Sequence, residues 1–161
     1  MPPKQIRPKS LADYLEQLSK IAFAAGLSSR VVEAKWPAIK RAFRDFDPER
    51  VARMTPRAVD KMMDDDRVIR SRSKIEATIA NAETMVELDE EHKGFKRYLR
   101  SQGDFDSTAK DLRKRFKFLG DSGAYRFLWV VGEHVPSWHE WAESRGMTTM
   151  AHRSGRSRRQ S

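Results

Sequence analysis

Apolar side chains in this sequence recur at steps of three and four almost from end to end, and no stretch alternates apolar with polar residues. A chain of this pattern has to bury its surface as packed helices. Leu11, Leu15, Leu18 and Ala22 make the first stripe, behind Ser10 as N-cap and ahead of Gly26. Val32, Trp36, Ile39, Phe43 and Phe46 make the second behind Ser28, where Pro37 predicts a kink or a shifted start. Asp47-Pro48 and Thr55-Pro56 each place a capping side chain before a proline, which predicts two short helices carrying Val51 and Met54, then Val59, Met62 and Met63. A long helix follows Ser71 or Ser73 with Ile75, Ile79, Ala82 and Val86 on its buried face. Phe95, Tyr98 and Leu99 mark a short helix, Leu112 and Phe116 another behind Ser107, and Ala124, Phe127, Leu128 and Val131 a strong one after it.

The chain has 161 residues, enough for one domain with its own core. It contains no cysteine, which excludes disulfides, thiolate zinc sites, iron–sulfur clusters and a cysteine nucleophile, and suits a reducing cytoplasm. No apolar run approaches the roughly 20 residues of a membrane span, and the opening MPPKQIRPKS lacks the apolar core of a signal peptide. A cytoplasmic protein with no membrane contact is expected. The net charge of +9 points to a polyanionic partner. Lys4, Arg7 and Lys9, with Arg145, Arg153, Arg156, Arg158 and Arg159 after Glu143, account for eight of those nine charges. The organisation is therefore a basic arm over residues 1–9, a helical domain over 10–145 and a basic tail over 146–161. The tail has too little apolar surface to offset its own ordering and is expected to stay mobile. Inside the domain, charge is segregated: residues 67–74 and 110–117 are basic, whereas 60–66 and 83–91 are acidic. Each run alone also fits an ordinary solvated helix face.

The stretch FKFLGDSGAYRFLWVV at 116–131 is the most informative local feature. A basic helix ends in a tight connection containing Gly120 and Gly123, and an apolar helix starts at once. Glycine there permits positive φ and close backbone approach, and the amides of residues 121–124 point outward at a helix start, where the dipole favours an anion. A helix-hairpin-helix element grips a DNA phosphate in this way, so phosphate contact is expected here. A plain structural turn is the competing reading, and Asp121 would set a negative charge beside the phosphate.

Four blocks carry a resemblance to the 3-methyladenine DNA glycosylase I family. DRVIRSRSKIEATIANA at 66–82 resembles the segment in which paired isoleucine, an Arg-x-Arg pair and Lys-Ile lead into a long helix. AAGLSS at 24–29 resembles the family's AGLSW stretch, FRDFDPERVARM at 43–54 its Phe-Asp-Pro helix, and LRKRFKFLGDSGAYRFLWVVGEHV at 112–135 its hairpin and following helix. The resemblance implies an all-α, helix-hairpin-helix DNA glycosylase-like bundle acting in base-excision repair, which cleaves the N-glycosidic bond of alkylated adenine in DNA. It implies a base pocket at Ile21, Phe23, Ser29, Trp36 and Tyr125. DNA contacts are expected from Arg70, Arg72, Lys74, Lys117, Gly120, Ser122, Gly123 and Arg126. The partner is double-stranded DNA, damaged or intact, and the protein is expected to be a monomer.

The same blocks depart from the family at the chemistry. The family's pocket glutamate, five residues before the glycine of AGLSW, is Ile21 here, and an isoleucine supplies no charge to a cationic base or sugar. The tryptophan closing that stretch is Ser29. The N-terminal aromatic and metal-binding stretch has no counterpart, and of the zinc ligands only His134 does, with Trp138 where the cysteine stands. No metal and no cofactor is expected. Glu33, near Trp36, and Glu133, after Tyr125 and Trp129, are the carboxylates closest to flat aromatic surfaces, and each also reads as an exposed helix-face acid. Asp64, Asp65 and Asp66 lack calcium-loop spacing, and neither a nucleophile elbow nor a phosphate-binding loop of the nucleotide-hydrolase kind occurs. Two readings follow: a DNA glycosylase with an altered pocket, or a catalytically inactive nucleic-acid-binding module on the same scaffold.

Overall fold

The computed structural model describes residues 4–146, so the expectations for residues 1–3 of the arm and 147–161 of the tail lie outside it. Those residues form helices α1 (Leu11–Ala24), α2 (Ser29–Ala42), α3 (Pro48–Ala52), α4 (Pro56–Met63), α5 (Arg72–His92), α6 (Phe95–Arg100), α7 (Phe105–Arg115), α8 (Asp121–Val130) and α9 (Trp138–Ser144). No strand occurs among the described residues.

Most helix starts follow from side chains that accept the first free backbone amides. Ser28 Oγ accepts from Arg30 N at 3.2 Å, Asp47 Oδ1 from Glu49 N at 3.1 Å, and Thr55 Oγ1 from Ala58 N at 3.2 Å. Ser71, not Ser73, caps α5, accepting from Lys74 N. Ser10 is the N-cap of α1 but makes no side-chain cap; its neighbour Asp13 accepts from Lys9 N instead. The cap of α7 is Asp104 rather than Ser107, because Asp104 is extended and its carboxylate takes the Ser107 amide at 2.7 Å. Pro37 does not shift the start of α2, which runs through it. Its ring costs the hydrogen bond of the Glu33 carbonyl, and both residues are exposed, where water accepts that role.

The 21-residue α5 is the central element and packs against α1, α3, α4 and α6, while α1 also meets α2 and α8. Phe43 and Phe46 are fully buried beyond the end of α2, because Arg44, Asp45 and Phe46 turn left-handed at φ 57°, 57° and 59°. That conformation costs roughly 1–2 kcal/mol per residue. It folds the Phe46 ring under Trp36, stacked at 5.3 Å and 10°, and against Phe43 at 5.4 Å. Burial of these rings offsets the strain.

The turn between α1 and α2 passes through Gly26 at φ 78°. Lys74, in the first turn of α5, reaches this turn: its Nζ donates to the Phe23 carbonyl at 3.1 Å and the Ala25 carbonyl at 2.5 Å. A half-buried ammonium thus closes the C-terminal end of α1, and its burial lowers its pKa. Lys74 was expected at the DNA surface; its charged group is engaged by the protein's own backbone. Lys74→Met should lower stability by about 1–3 kcal/mol in urea unfolding, since two carbonyls lose their donor. The salt dependence of duplex binding should not change, whereas a slope reduced by about one would mark Lys74 as a phosphate contact.

Candidate nucleic-acid interface

The connection between α7 and α8 is held from beneath by one side chain. Asn81 lies on the buried face of α5, 2% exposed. Its Nδ2 donates to the Lys117 carbonyl at 3.1 Å and its Oδ1 accepts the Lys117 amide at 2.8 Å, so the side chain pairs with the backbone as a strand would. Sequence reading passed over Asn81, although an amide among Ile75, Ala77, Thr78 and Ala82 on a buried face has to find such a partner.

Beyond Lys117 the chain turns left-handed at Phe118, φ 57°, which leaves that ring 42% exposed at the tip. The sequence reading assigned the positive φ to the glycines, but Gly120 is an extended N-cap at φ −90° and Gly123 sits inside the first turn of α8. Gly123 serves close approach: a Cβ there would lie 3.1 Å from both Ile21 Cγ2 and Leu119 Cδ1. No side chain caps α8, and the Ala124 amide bonds the Gly120 carbonyl at 2.9 Å. The free amides at this corner are therefore those of residues 121–123, one fewer than the sequence suggested. Gly120 and Ser122 are exposed, and a Cβ on Gly120 would meet open space. A helix N-terminus of this form carries a partial positive charge toward solvent.

Lys117, Gly120, Ser122, Gly123 and Arg126 thus lie on one corner, with the lysine and arginine exposed. Arg70 and Arg72 do not join them. They stand at the start of α5, and Arg72 is about 14 Å along that helix from Asn81 at 1.5 Å per residue. Arg72 Nη2 donates to Asp60 at 2.6 Å, and the partnership with Asp60 raises its pKa.

The five expected pocket residues are dispersed. Ile21, half-buried in α1, points to the first turn of α8 at Gly123. Phe23 and Trp36 belong to the core, where Phe23 meets Trp36 edge-on at 6.3 Å and Phe43 at 5.8 Å. One face of Trp36 is taken by Phe46, and its Nε1 donates to Glu16 at 2.8 Å. Ser29 is exposed at the start of α2. Tyr125 faces the other way: its hydroxyl donates to the Pro136 carbonyl at 2.6 Å and its ring packs 4.7 Å from Trp141 and 5.4 Å from Trp138. Burial raises its pKa.

Of the two carboxylates near aromatic surfaces, Glu33 is exposed. Glu133 is half-buried at the junction of two clefts of about 620 and 470 Å³, its side chain 9% exposed and held by Arg100 at 3.0 and 3.3 Å. Burial, then the Glu133 charge, push the pKa of Tyr14 up beside it. His134 is exposed, and among the described residues no group of three or more His, Cys, Asp or Glu is placed to hold a metal ion. No helix among them is long and apolar enough to cross a membrane.

α9 was not expected. Its signal is Ser137 three residues ahead of Glu140, and Ser137 Oγ does accept the Glu140 amide at 3.2 Å. The helix packs Trp141 against Tyr125 and stands beside the hairpin through Arg145, whose Nε donates to Asp121 at 2.6 Å.

Known proteins share this architecture. The family model described as methyladenine glycosylase matches residues 9–115. DNA-3-methyladenine glycosylase 1 of Escherichia coli (strain K12) is 30% identical over 135 aligned positions, taking in 69% of this chain and 72% of that protein. DNA-3-methyladenine glycosylase of Haemophilus influenzae is 29% identical over 129, taking in 67% and 70%. The solved structure of 3-methyladenine DNA glycosylase I from Staphylococcus aureus superposes with a TM-score of 0.70 at 26% identity, covering 80% of each chain. With a family match across two-thirds of its length, the chain belongs to the methyladenine glycosylase family.

Proposed function

We propose that this chain is a monomeric, cytoplasmic DNA glycosylase that binds duplex DNA at the hairpin corner and releases N-alkylated adenine. The observation that carries the reading is the corner at residues 120–123, exposed at Gly120 and Ser122 and starting a helix with no side-chain cap, in a chain whose relatives are DNA-3-methyladenine glycosylases. The amides of residues 121–123 hold a backbone phosphate, with Lys117 and Arg126 adding charge around it.

The substrate class suits a pocket without a carboxylate. An adenine alkylated at N3 is cationic, so breaking its bond to C1′ sends the electron pair to the ring and frees a neutral base. Water then adds to C1′ and loses a proton, leaving an abasic site. No acid has to protonate the leaving group. Where the family pattern places a carboxylate, Ile21 packs beside Gly123, so a base extruded next to the phosphate grip would meet hydrocarbon there.

Methylated duplex DNA incubated with the protein and then treated with hot alkali should show strand breaks at abasic sites. Intact strands at large enzyme excess would reject the glycosylase reading and leave the inactive binding module. Ile21→Glu should raise the rate of base release from such DNA. It should also lower the melting temperature, because a carboxylate against Leu119 without a partner costs about 1–3 kcal/mol. No gain in rate from a folded variant would show that charge at this position does not limit the reaction. Removing residues 147–161 takes away Arg153, Arg156, Arg158 and Arg159. The slope of log affinity against log salt should then become shallower by about 3–4, at roughly 0.9 per phosphate contact.

A further inference from the structure

An aspartate at the mouth of a phosphate site is an electrostatic contradiction, and the structure holds the groups that resolve it. Asp121 is the first residue of α8, within the corner that faces solvent. A carboxylate there suits the helix dipole but repels the phosphate that the same amides attract. Two guanidinium groups flank it. Arg113, from the last turn of α7, places Nη1 3.3 Å from Asp121 Oδ1, and Arg145, just past α9, donates from Nε to Oδ2 at 2.6 Å. Each carboxylate oxygen has one arginine, so these three side chains sum to +1, and the exposed Asp106, 3.8 Å from Arg145 Nη2, brings the wider cluster to neutrality.

Arg145 is fixed for this task from several sides. Its guanidinium lies 5.0 Å from the centre of the Trp141 ring, its Nη1 donates to Ser144 Oγ at 3.0 Å, and Asp106 stands 3.8 Å from its Nη2. Trp141 in turn packs on Tyr125, one turn along α8 from Asp121. Both ends of this chain of contacts are on α8, so α9 is braced against the helix whose start it neutralises. Three segments therefore meet at one carboxylate: α7, α8 and the end of α9.

We propose that Arg113 and Arg145 are positioning residues for DNA: they cancel the charge of Asp121 and so turn an uncapped helix start into a usable phosphate site. The inference rests on the reading that the hairpin corner binds DNA. It assigns α9 a role in that binding without requiring it to touch the substrate.

The test is charge removal followed by charge rescue, read as affinity for an undamaged duplex by fluorescence anisotropy. Arg145→Met keeps the packing on Trp141 but exposes the Asp121 charge, and should weaken binding about tenfold at low salt. Asp121→Asn in the same chain should restore affinity to within about twofold, because the neutral amide leaves nothing to cancel. Arg145→Lys should stay close to the unaltered protein. If Arg145→Met loosens α9 enough to lower the melting temperature sharply, Arg113→Met with and without Asp121→Asn repeats the test from α7. Weakened binding that Asp121→Asn does not rescue overturns the inference, as does unchanged binding in the arginine variants. If the unaltered protein shows no salt-dependent affinity for duplex DNA, the hairpin reading fails as well, so the two failures are distinguishable.

Discussion

The shape of the hairpin depends on one buried amide. Asn81 satisfies both the donor and the acceptor of Lys117 from inside the bundle, which removes the cost of ending α7 beside a nonpolar core. With Lys117 fixed, the chain has only three residues in which to reverse before α8. Phe118 takes the left-handed conformation, and Leu119 turns back into the core at 7% exposure. Gly120 then opens onto solvent. The corner is thus set by α5, a rigid helix of 21 residues, and not by the loop that displays it. The proposed phosphate site would need this, because amides bind an anion well only when their directions are fixed in advance.

The same economy governs the opposite wall. Ile21 and Leu119 both reach the space a Cβ of Gly123 would fill, so a larger residue there would have to push those two side chains aside. Gly123 and Ile21 therefore act together: the glycine is short of a side chain because the isoleucine supplies one. A carboxylate at position 21 in this packing would have lain against hydrocarbon. The isoleucine at position 21 and the tight contact at Gly123 are two aspects of one local arrangement.

Much of this was legible in the sequence, and the reasons for the rest are physical. Helix stripes and the Asp47-Pro48 and Thr55-Pro56 caps are local, so spacing and side-chain chemistry fix them. The corner at Gly120 was also local, though the positive φ fell to Phe118, since the glycines were needed for space and not for handedness. What sequence could not place were the long-range partners. Lys74 lies in a basic run and looks like a DNA contact, but its partners are carbonyls 49 and 51 residues away. Phe23, Trp36 and Tyr125 read as one aromatic pocket, yet two belong to the main core and the third to a separate cluster with Trp141. Periodicity says that a ring is buried without saying against what.

Charge behaves the same way at a larger scale. Between the two basic ends the chain is nearly neutral, so a field able to hold DNA has to arise from where charges sit and not from their sum. Asp121 illustrates the point. Counted along the sequence it weakens the corner; in space it is the anchor that draws Arg113 and Arg145 from two other helices to the same place. Replacing it with a neutral residue would remove a repulsion and, with it, the reason for both guanidinium groups to converge there. An acid at a phosphate site is then consistent with binding, provided that it gathers more positive charge than it contributes negative. At Asp121 two guanidinium groups face one carboxylate, and the second acid near Arg145, Asp106 at 3.8 Å, is by far the more exposed to water.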